Sequence, residues 1–238
     1  MLFTGAGISV VVGMPTAKEL MSVVHKKASL SDITNFADAM ATAEAKMGRH
    51  ELVSTVIATL KKGGLQLSKV HSLIANIGFD VIVTTNFDIL LEEAFRSAGR
   101  TCFPVVRPEE LAYADTSDIL LVKIHGSMDR PDSLLLTSAD YRAFEAQQGL
   151  LVQTLTHYFV TRSILFVVYS LKDESLLRLI QDIGSKLGAH RRPAYLVSPF
   201  ADEAMVERMK EIWPITLIKE NAESFFEKLS AATAHNSG

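Results

Sequence analysis

Short runs of apolar, β-branched and aromatic residues alternate along the chain with segments whose apolar residues recur at helical spacing. Several runs are continuously apolar, as strands are when helices cover both faces of a sheet. This alternation predicts an α/β fold built on a Rossmann-like, doubly wound parallel sheet. The predicted strands are Met1–Thr4, Val81–Thr84, Phe103–Arg107, Ile119–Ile124, Ile164–Tyr169, Ala194–Val197 and Ile215–Ile218.

Helical periodicity marks the segments that follow these strands. After the second strand, Ile89, Leu90, Ala94 and Phe95 fall on one helix face. The later segments show the same spacing, and one of them opens with acidic residues that favour a helix start. The predicted helices are Phe87–Ser97, Glu174–Leu187, Asp202–Trp213 and Ala222–Thr233.

Two regions depart from the alternation. Residues 17–78 have the pattern of three or more helices without a convincing strand, and residues 126–161 read as a loop followed by helices. We therefore expect one domain over residues 1–238, with a core of about 1–16 and 79–235. Residues 17–78 would form a helical insertion, and residues 126–161 a second, smaller one.

Composition narrows the class of protein. Lys and Arg number 24 and Asp and Glu 27, giving a net charge of −3, so no overall charge favours direct binding to nucleic acid. The longest apolar run, ILFVVY, is strand-sized, and no membrane association is expected. The single cysteine excludes an internal disulfide and a four-cysteine zinc site, and no other metal-ligand spacing appears. A reducing, cytoplasmic location fits this pattern.

A glycine turn follows the first predicted strand. Gly5-Ala6-Gly7 would let a phosphate approach bare backbone N–H groups. The match to the dinucleotide-binding fingerprint is incomplete, because Val10 stands where the third glycine would be. Taken alone, the turn is equally compatible with phosphate binding and with a plain tight turn.

Polar residues also follow two other predicted strands. Asn86 and Asp88 come after Val81–Thr84, and His125 comes after Ile119–Ile124. Ligands of open α/β sheets bind at the carboxyl ends of the strands, so we expect these side chains to share one site. Asn86 is also a favoured N-cap for a helix beginning at Phe87, and Asp88 is also suited to face the helix dipole.

The other histidines have no such placement, and each is interpreted as an ordinary surface or core residue. They are His25, His50, His71, His157, His190 and His235.

Four segments occur together in one order: GAGIS (5–9), TTNFD (84–88), KIHGS (123–127) and FVVYSLKDESL (166–176). Together they resemble the sirtuin-like NAD-dependent family. The resemblance is strongest to its prokaryotic branch of NAD hydrolases in antiviral defence, and it extends from residue 1 to about residue 200. GMPT at 13–16 resembles the family's cofactor loop, and LTSADYRAF at 136–144 resembles a segment of the prokaryotic branch.

The resemblance implies a site for NAD⁺ without a metal. It implies that the glycine turn and Ser9 hold the pyrophosphate and that Asn86 and Asp88 line the nicotinamide and ribose pocket. Ser170 would lie by the phosphates or the adenosine ribose. The implied catalytic residues are Asn86 and His125, and the implied cofactor-binding residues are Gly5, Ala6, Gly7, Ser9, Pro15, Thr85, Asp88, Gly126 and Ser170.

The chemistry of NAD⁺ hydrolysis suits this set. Nicotinamide leaves as a neutral molecule, so the reaction needs no general acid and no glycosidase-like carboxylate pair. Glu92-Glu93, Asp173-Glu174 and Asp202-Glu203 are accordingly interpreted as solvated or dipole-facing charges. An asparagine can hold a water or a ribose hydroxyl, and an imidazole can accept a proton at neutral pH.

Three departures from the family leave alternatives open. The chain lacks the cysteines of the deacylase zinc site, and Thr16-Ala17-Lys18 replaces the family's Asp-Phe-Arg after Pro15. Val168 replaces a glycine, and its side chain would point either into the pocket or into the sheet.

The expected function is NAD⁺ hydrolysis in bacterial antiviral defence, arresting or killing an infected cell by NAD⁺ depletion. The alternatives are an NAD-dependent protein deacylase and an inactive NAD- or ADP-ribose-binding regulatory module. An activity of this kind has to be restrained, so a homo-oligomer and a regulatory or sensor protein partner are expected.

Overall fold

A parallel sheet forms the centre of the computed structural model, which describes residues 1–30, 33–64, 66–115, 119–147, 149–169 and 174–235. Helices cover both faces, and the predicted α/β, doubly wound fold is confirmed. The strands are β1 (Leu2–Thr4), β2 (Val81–Thr84), β3 (Cys102–Val105), β4 (Ile119–Lys123), β5 (Ile164–Val167), β6 (Ala194–Val197) and β7 (Ile215–Ile218).

The helices account for most of the remaining described chain. They are α1 (Gly7–Val10), α2 (Ala17–Ala28), α3 (Phe36–Met47), α4 (Arg49–Lys62), α5 (Lys69–Asn76), α6 (Leu90–Ser97), α7 (Ser138–Gln147), α8 (Gly149–Thr161), α9 (Glu174–Leu187), α10 (Glu203–Ile212) and α11 (Ala222–His235). Short 3-10 helices span Pro108–Tyr113, Pro131–Ser133 and Gly188–His190.

Two predicted boundaries were wrong for identifiable reasons. The fifth strand ends at Val167 rather than at Tyr169, because Val168 has φ +42° and leaves the extended region. The helix predicted from Phe87 begins at Leu90 instead. The remaining strand and helix boundaries agree with the predictions or differ by one or two residues, which is the usual uncertainty at element ends.

Strand alternation divides the core between the two faces of the sheet. Leu2 packs in a cluster with residues of α5, α6 and α11, whereas Phe3 packs in a cluster with residues of α8, α9 and α10. A third cluster joins α2, α3 and α4 to a loop that contains Met128 and Leu136. The expected insertion at 17–78 therefore contains two kinds of helix, because α5 packs on the sheet and α2–α4 do not. The division into core and insertions stays a prediction.

Strand order fixes where a ligand can approach. The sheet runs β3-β4-β2-β1-β5-β6-β7, and the connections from β1 and β5 leave in opposite directions. This is the switch point at which open α/β sheets bind ligands. The adjacent strands end level with one another, since Thr4 pairs with Thr84 and Val167, and Thr84 pairs with Lys123.

A bilayer-spanning segment would need a long run of apolar helix, and none of the described helices has the length and hydropathy for it.

Candidate functional site

A cavity of about 780 Å³ lies at the carboxyl ends of β1, β2, β4 and β5. Its volume falls within the range of small-molecule sites, about 300–1,000 Å³. The loops after these strands form one side, and parts of α2, α3 and α7 contribute the other. Arg142 and Arg178 bring positive charge to the lining, and Asp38 and Asp88 bring negative charge.

Most of the predicted site residues line this cavity. Asn86 and His125 both line it, although they are 39 positions apart in the sequence. Gly126 does not line it, and Ser170 lies outside the described residues. Their catalytic and binding roles stay predictions. The remaining predicted residues that line the cavity are Gly5, Ala6, Gly7, Ser9, Pro15, Thr85 and Asp88.

The glycine turn lies tightly against the end of β5. A Cβ added at Gly7 would lie 2.7 Å from Val168 Cβ, and one at Gly5 would lie 3.1 Å from the Val168 carbonyl oxygen. Real Cβ atoms do not approach as closely as the first distance, so a glycine is needed at position 7. Val168 itself lines the cavity, with a positive φ that is strained for a β-branched residue.

Asn86 presents an unused hydrogen-bond acceptor. Its backbone N–H donates to Thr84 Oγ1 at 3.1 Å, and its Nδ2 donates to Ser9 Oγ at 3.1 Å. The side-chain oxygen is buried and has no hydrogen-bond partner among the described residues. Leaving such a group unpaired costs about 1–3 kcal/mol, so a partner from a ligand or from water is expected on its cavity side.

The helix-capping alternative for Asn86 is wrong. The helix begins at Leu90, and Asp88 Oδ1 accepts a hydrogen bond of 3.0 Å from the Leu90 N–H. Asp88 therefore accepts a hydrogen bond from a backbone N–H in the first turn of α6. The Asn86 side chain is directed toward Ser9 and the cavity instead.

His125 is half-buried between two aromatic rings. The centroid of Tyr141 lies 5.3 Å away in an edge-on arrangement, and that of Phe87 lies 6.4 Å away. The next residue, Gly126, has φ +87°, and a Cβ there would overlap the Ser133 carbonyl group. Gly126 thus shapes the turn that presents the imidazole, without reaching the cavity itself. His125 also borders a smaller adjoining cavity of about 290 Å³.

His71 joins the site although its sequence position gave no sign of it. The ring is fully buried, and its Nε2 lies 3.3 Å from Ser9 Oγ. Burial lowers its pKa, and the negative charge of Asp88 partly opposes that shift. Ser68 and His71 have the spacing of a capping box, but nothing in the sequence connects that spacing to Ser9.

A second polar cluster lies beneath the loops that carry Asn86 and His125. The Lys123 ammonium group is buried and donates at 2.6 Å to each of Glu92 Oε1, Ser127 Oγ and the Asp88 carbonyl oxygen. Of the two interpretations of Glu92, the solvated charge is therefore wrong, whereas a position in the first turn of α6, where it faces the helix dipole, agrees with the structure. Its side chain is 13% exposed, and burial raises the pKa of its carboxyl group against the opposing effect of Lys123.

Metal-ligating residues do not gather anywhere in the part of the chain that the structure describes: no group of three or more His, Cys, Asp and Glu side chains is placed to hold an ion.

Comparison with known proteins gives three informative similarities. The chain is 26% identical over 204 residues to a protein named NAD(+) hydrolase ThsA from Enterococcus faecium, covering 82% of this chain and 42% of that protein. It is 26% identical over 198 residues to the protein of the same name from Cytobacillus dafuensis, covering 82% and 40%. It is 24% identical over 173 residues to Defense-associated sirtuin 2 of Bacillus subtilis, covering 68% and 17%.

The chain spans about two fifths of the length of the first two relatives, which are 42% and 40% covered. A family model described as the SIR2-like domain matches residues 80–218, a stretch that includes Asn86, Asp88 and His125 and is more than half of the chain. The sheet, the cavity at its switch point and this match together place the chain in the SIR2-like domain family.

Proposed function

We propose that this chain is an NAD⁺ hydrolase that splits NAD⁺ into nicotinamide and ADP-ribose. The observation that carries the proposal is the cavity of about 780 Å³ at the sheet's switch point, which is lined by the glycine turn, Asn86 and His125 together. The names of the relatives from Enterococcus faecium and Cytobacillus dafuensis support the same reaction.

The lining suits the diphosphate part of NAD⁺. Gly5 and Gly7 leave backbone without side chains at the end of β1, where a phosphate can approach peptide N–H groups. Arg142 and Arg178 line the same cavity and offset the charge of the two phosphates.

Asn86 and His125 have separate tasks in the proposed reaction. The unpaired oxygen of Asn86 accepts a hydrogen bond from the attacking water or from a ribose hydroxyl. The bond between the ribose C1′ and the nicotinamide nitrogen breaks, and its electron pair leaves with neutral nicotinamide. Water forms the new C1′–O bond, and the imidazole of His125 accepts the proton that this water releases before passing it to solvent.

A second candidate function is binding of NAD⁺ or ADP-ribose without turnover. The observation that favours it is Val168, whose side chain packs at the glycine turn and reduces the room beside Gly7. Tight binding of ADP-ribose by calorimetry, with no nicotinamide released in any oligomeric state, would favour this candidate over hydrolysis.

The test is nicotinamide release from NAD⁺ by the wild type, Asn86→Ala and His125→Ala. Each variant should lose activity by about a hundredfold or more while its thermal unfolding stays near that of the wild type, because both residues lie at the sheet edge. The matched controls are Asn76→Ala and His157→Ala, two exposed positions outside the cavity, which should keep full activity. Wild-type turnover that neither site substitution changes would contradict the proposal.

In the cell, we propose that this reaction serves antiviral defence by depleting NAD⁺. The name of the Bacillus subtilis relative supports a role in defence. A homo-oligomer and a regulatory protein partner are the proposed means of restraining the activity. Size-exclusion chromatography with light scattering, with and without NAD⁺, tests the first of these, because a monomer under all active conditions would rule it out.

A further inference from the structure

We infer that His71 is a positioning residue: its Nε2–H, donated to Ser9, makes Ser9 present a donor and Asn86 an acceptor to the ligand. The catalytic consequence of this inference rests on the proposed NAD⁺ hydrolysis, whereas the hydrogen-bond arrangement itself does not.

The first step is the tautomer of His71. The backbone N–H of Ser68 lies 3.2 Å from His71 Nδ1, and a backbone N–H can only donate. The Ser68 hydroxyl oxygen also lies 2.7 Å from Nδ1, and a hydroxyl can donate to the same nitrogen. We assign Nδ1 as the acceptor, because a proton on it would be directed at the Ser68 N–H. Burial lowers the pKa of the ring, which keeps it neutral. A neutral imidazole with an unprotonated Nδ1 carries its proton on Nε2.

The second step is what that proton does. Nε2 lies 3.3 Å from Ser9 Oγ, and Ser9 is buried at 1% exposure, so the Nε2–H donates to the serine oxygen. Asn86 Nδ2 donates to the same oxygen at 3.1 Å. A hydroxyl oxygen accepts two hydrogen bonds, and His71 and Asn86 fill both positions.

The third step is the consequence for the ligand. Ser9 has its own proton left to donate, and because Ser9 lines the cavity, that proton serves an acceptor there, such as a phosphate oxygen. Asn86 has its nitrogen committed to Ser9, so its unpaired oxygen faces the ligand as an acceptor. Hydrogen bonds in such a chain polarise and strengthen one another.

Without the His71 donor, nothing fixes which groups donate and which accept in the hydrogen bonds of Ser9 and Asn86. The Ser9 hydroxyl then has one fixed partner fewer, so its proton is no longer held toward the ligand, and its hydrogen bond to the ligand weakens. The pairing with Asn86 would also be free to reverse, which would present a donor where the reaction needs an acceptor. Losing one or two neutral hydrogen bonds of this kind predicts a loss of activity of roughly tenfold.

The direct test is nuclear magnetic resonance of the His71 ring nitrogens in the wild-type protein. We expect a neutral ring with the proton on Nε2 at pH 7. A neutral ring with the proton on Nδ1, or a doubly protonated ring, would overturn the inference. This outcome is independent of activity, so it remains decisive even if the wild type releases no nicotinamide and the proposed hydrolysis fails.

The functional test uses two replacements of His71. His71→Leu removes the donor, and His71→Gln keeps an N–H near the position of Nε2. Nicotinamide release should fall roughly tenfold in His71→Leu and recover most of that loss in His71→Gln. ADP-ribose binding, measured by calorimetry, should follow the same order. Equal losses in both variants would point to a purely structural role for the ring and would contradict the inference.

A double-mutant cycle with Ser9→Ala decides whether His71 acts through Ser9. Once Ser9 is alanine, His71→Leu should reduce kcat by less than about twofold more, because the intermediate hydroxyl is already gone. Fully additive losses would show that His71 acts by another route. His157→Leu, an exposed histidine outside the cavity, serves as the control and should match the wild type.

Discussion

Two buried polar clusters lie side by side at the carboxyl edge of the sheet, and they differ in charge and in where their unpaired acceptor lies. The cluster around Lys123 pairs its ammonium group with three oxygens from Asp88, Glu92 and Ser127. Its unpaired acceptor in the described part of the chain, Glu92 Oε2, is buried and does not line the cavity. The cluster of His71, Ser9 and Asn86 is neutral and leaves the Asn86 side-chain oxygen without a partner among the described residues.

Because of this difference, we interpret the Lys123 cluster as a structural anchor and the His71 cluster as part of the candidate site. The Lys123 cluster joins the loop after β2 to the loop after β4, so it holds the elements that carry Asn86 and His125. The His71 cluster keeps an unused acceptor next to a cavity, which is a feature that a ligand can exploit. Substitutions in the first should mainly change stability, and those in the second should mainly change binding and turnover.

The largest expected effect comes from breaking the anchor. Lys123→Met leaves the Glu92 carboxylate buried without its cation, and it should reduce the free energy of unfolding by about 3–5 kcal/mol. Urea denaturation measures the loss. Lys69→Met removes an exposed lysine that pairs with Glu223 and Glu227, and it should leave stability near that of the wild type.

A second substitution tests the cause of that loss. Adding Glu92→Leu to Lys123→Met removes the stranded carboxylate, and it should restore a large part of the stability. A double variant as unstable as Lys123→Met would mean that the loops depend on the lysine's other hydrogen bonds rather than on charge compensation.

An intermediate effect is expected where the glycine turn packs against Val168 at the end of β5. Gly7→Ala places a Cβ 2.7 Å from Val168 Cβ, and the overpacking should reduce stability by about 1–3 kcal/mol and weaken ADP-ribose binding. Val168→Gly in the same protein should restore most of both properties, since it removes the Val168 Cβ and leaves only the 3.1 Å approach to the backbone carbonyl oxygen. Thermal unfolding and calorimetry give the two readouts.

The matched control for this rescue is Val168→Ala, which keeps the Cβ and shortens the side chain only beyond it. It should rescue Gly7→Ala poorly, since the closest approach is to the Cβ itself. Equal rescue by alanine and glycine would place the conflict at the valine methyl groups instead.

The smallest expected effect concerns pH. Unfolded His71 takes up a proton near pH 6.5, whereas burial lowers the pKa of the folded ring and keeps it neutral at a lower pH. As pH falls below about 6.5, the unfolded state binds the additional proton, and stability declines by up to about 1.4 kcal/mol per pH unit until the folded ring titrates. Above pH 6.5 this contribution is constant.

Urea denaturation of the wild type and of His71→Leu at several pH values between 7.5 and 5 measures this dependence. The wild type should lose stability more steeply than the variant on acidification. Parallel curves would show that the buried ring takes up its proton as readily in the folded protein as in the unfolded chain. Burial also raises the pKa of Glu92, but this carboxyl group is present in both proteins and does not affect the difference between them.

The sheet could be predicted well because the residues that begin and end several strands are recognisable in the sequence. The bounds of β2, β6 and β7 agree with the predictions, and Pro214 comes directly before β7. Proline cannot donate to the ladder, so within a sheet it favours the start of a strand or an edge strand such as β3, which contains Pro104. The shared location of Asn86 and His125 followed from a general property of parallel sheets.

The polar contacts between distant segments were not predictable in the same way. The start of α6 depends on the Asp88 carboxylate, and the burial of Glu92 depends on a lysine 31 positions away. The link between Ser9 and His71 crosses 62 positions. Hydrophobic periodicity records which face of an element is buried, but it does not record which polar group another element brings to that face.

The position of β1 has a consequence for how the protein is made. Leu2 pairs with Ile82 on one side and with Leu165 on the other, so the central strand is translated before both of its neighbours. At about 5–20 residues per second, a ribosome needs many seconds to deliver the strand that closes the second side. The glycine turn is exposed through that interval, and the cavity at the switch point is complete only after β5 has been made.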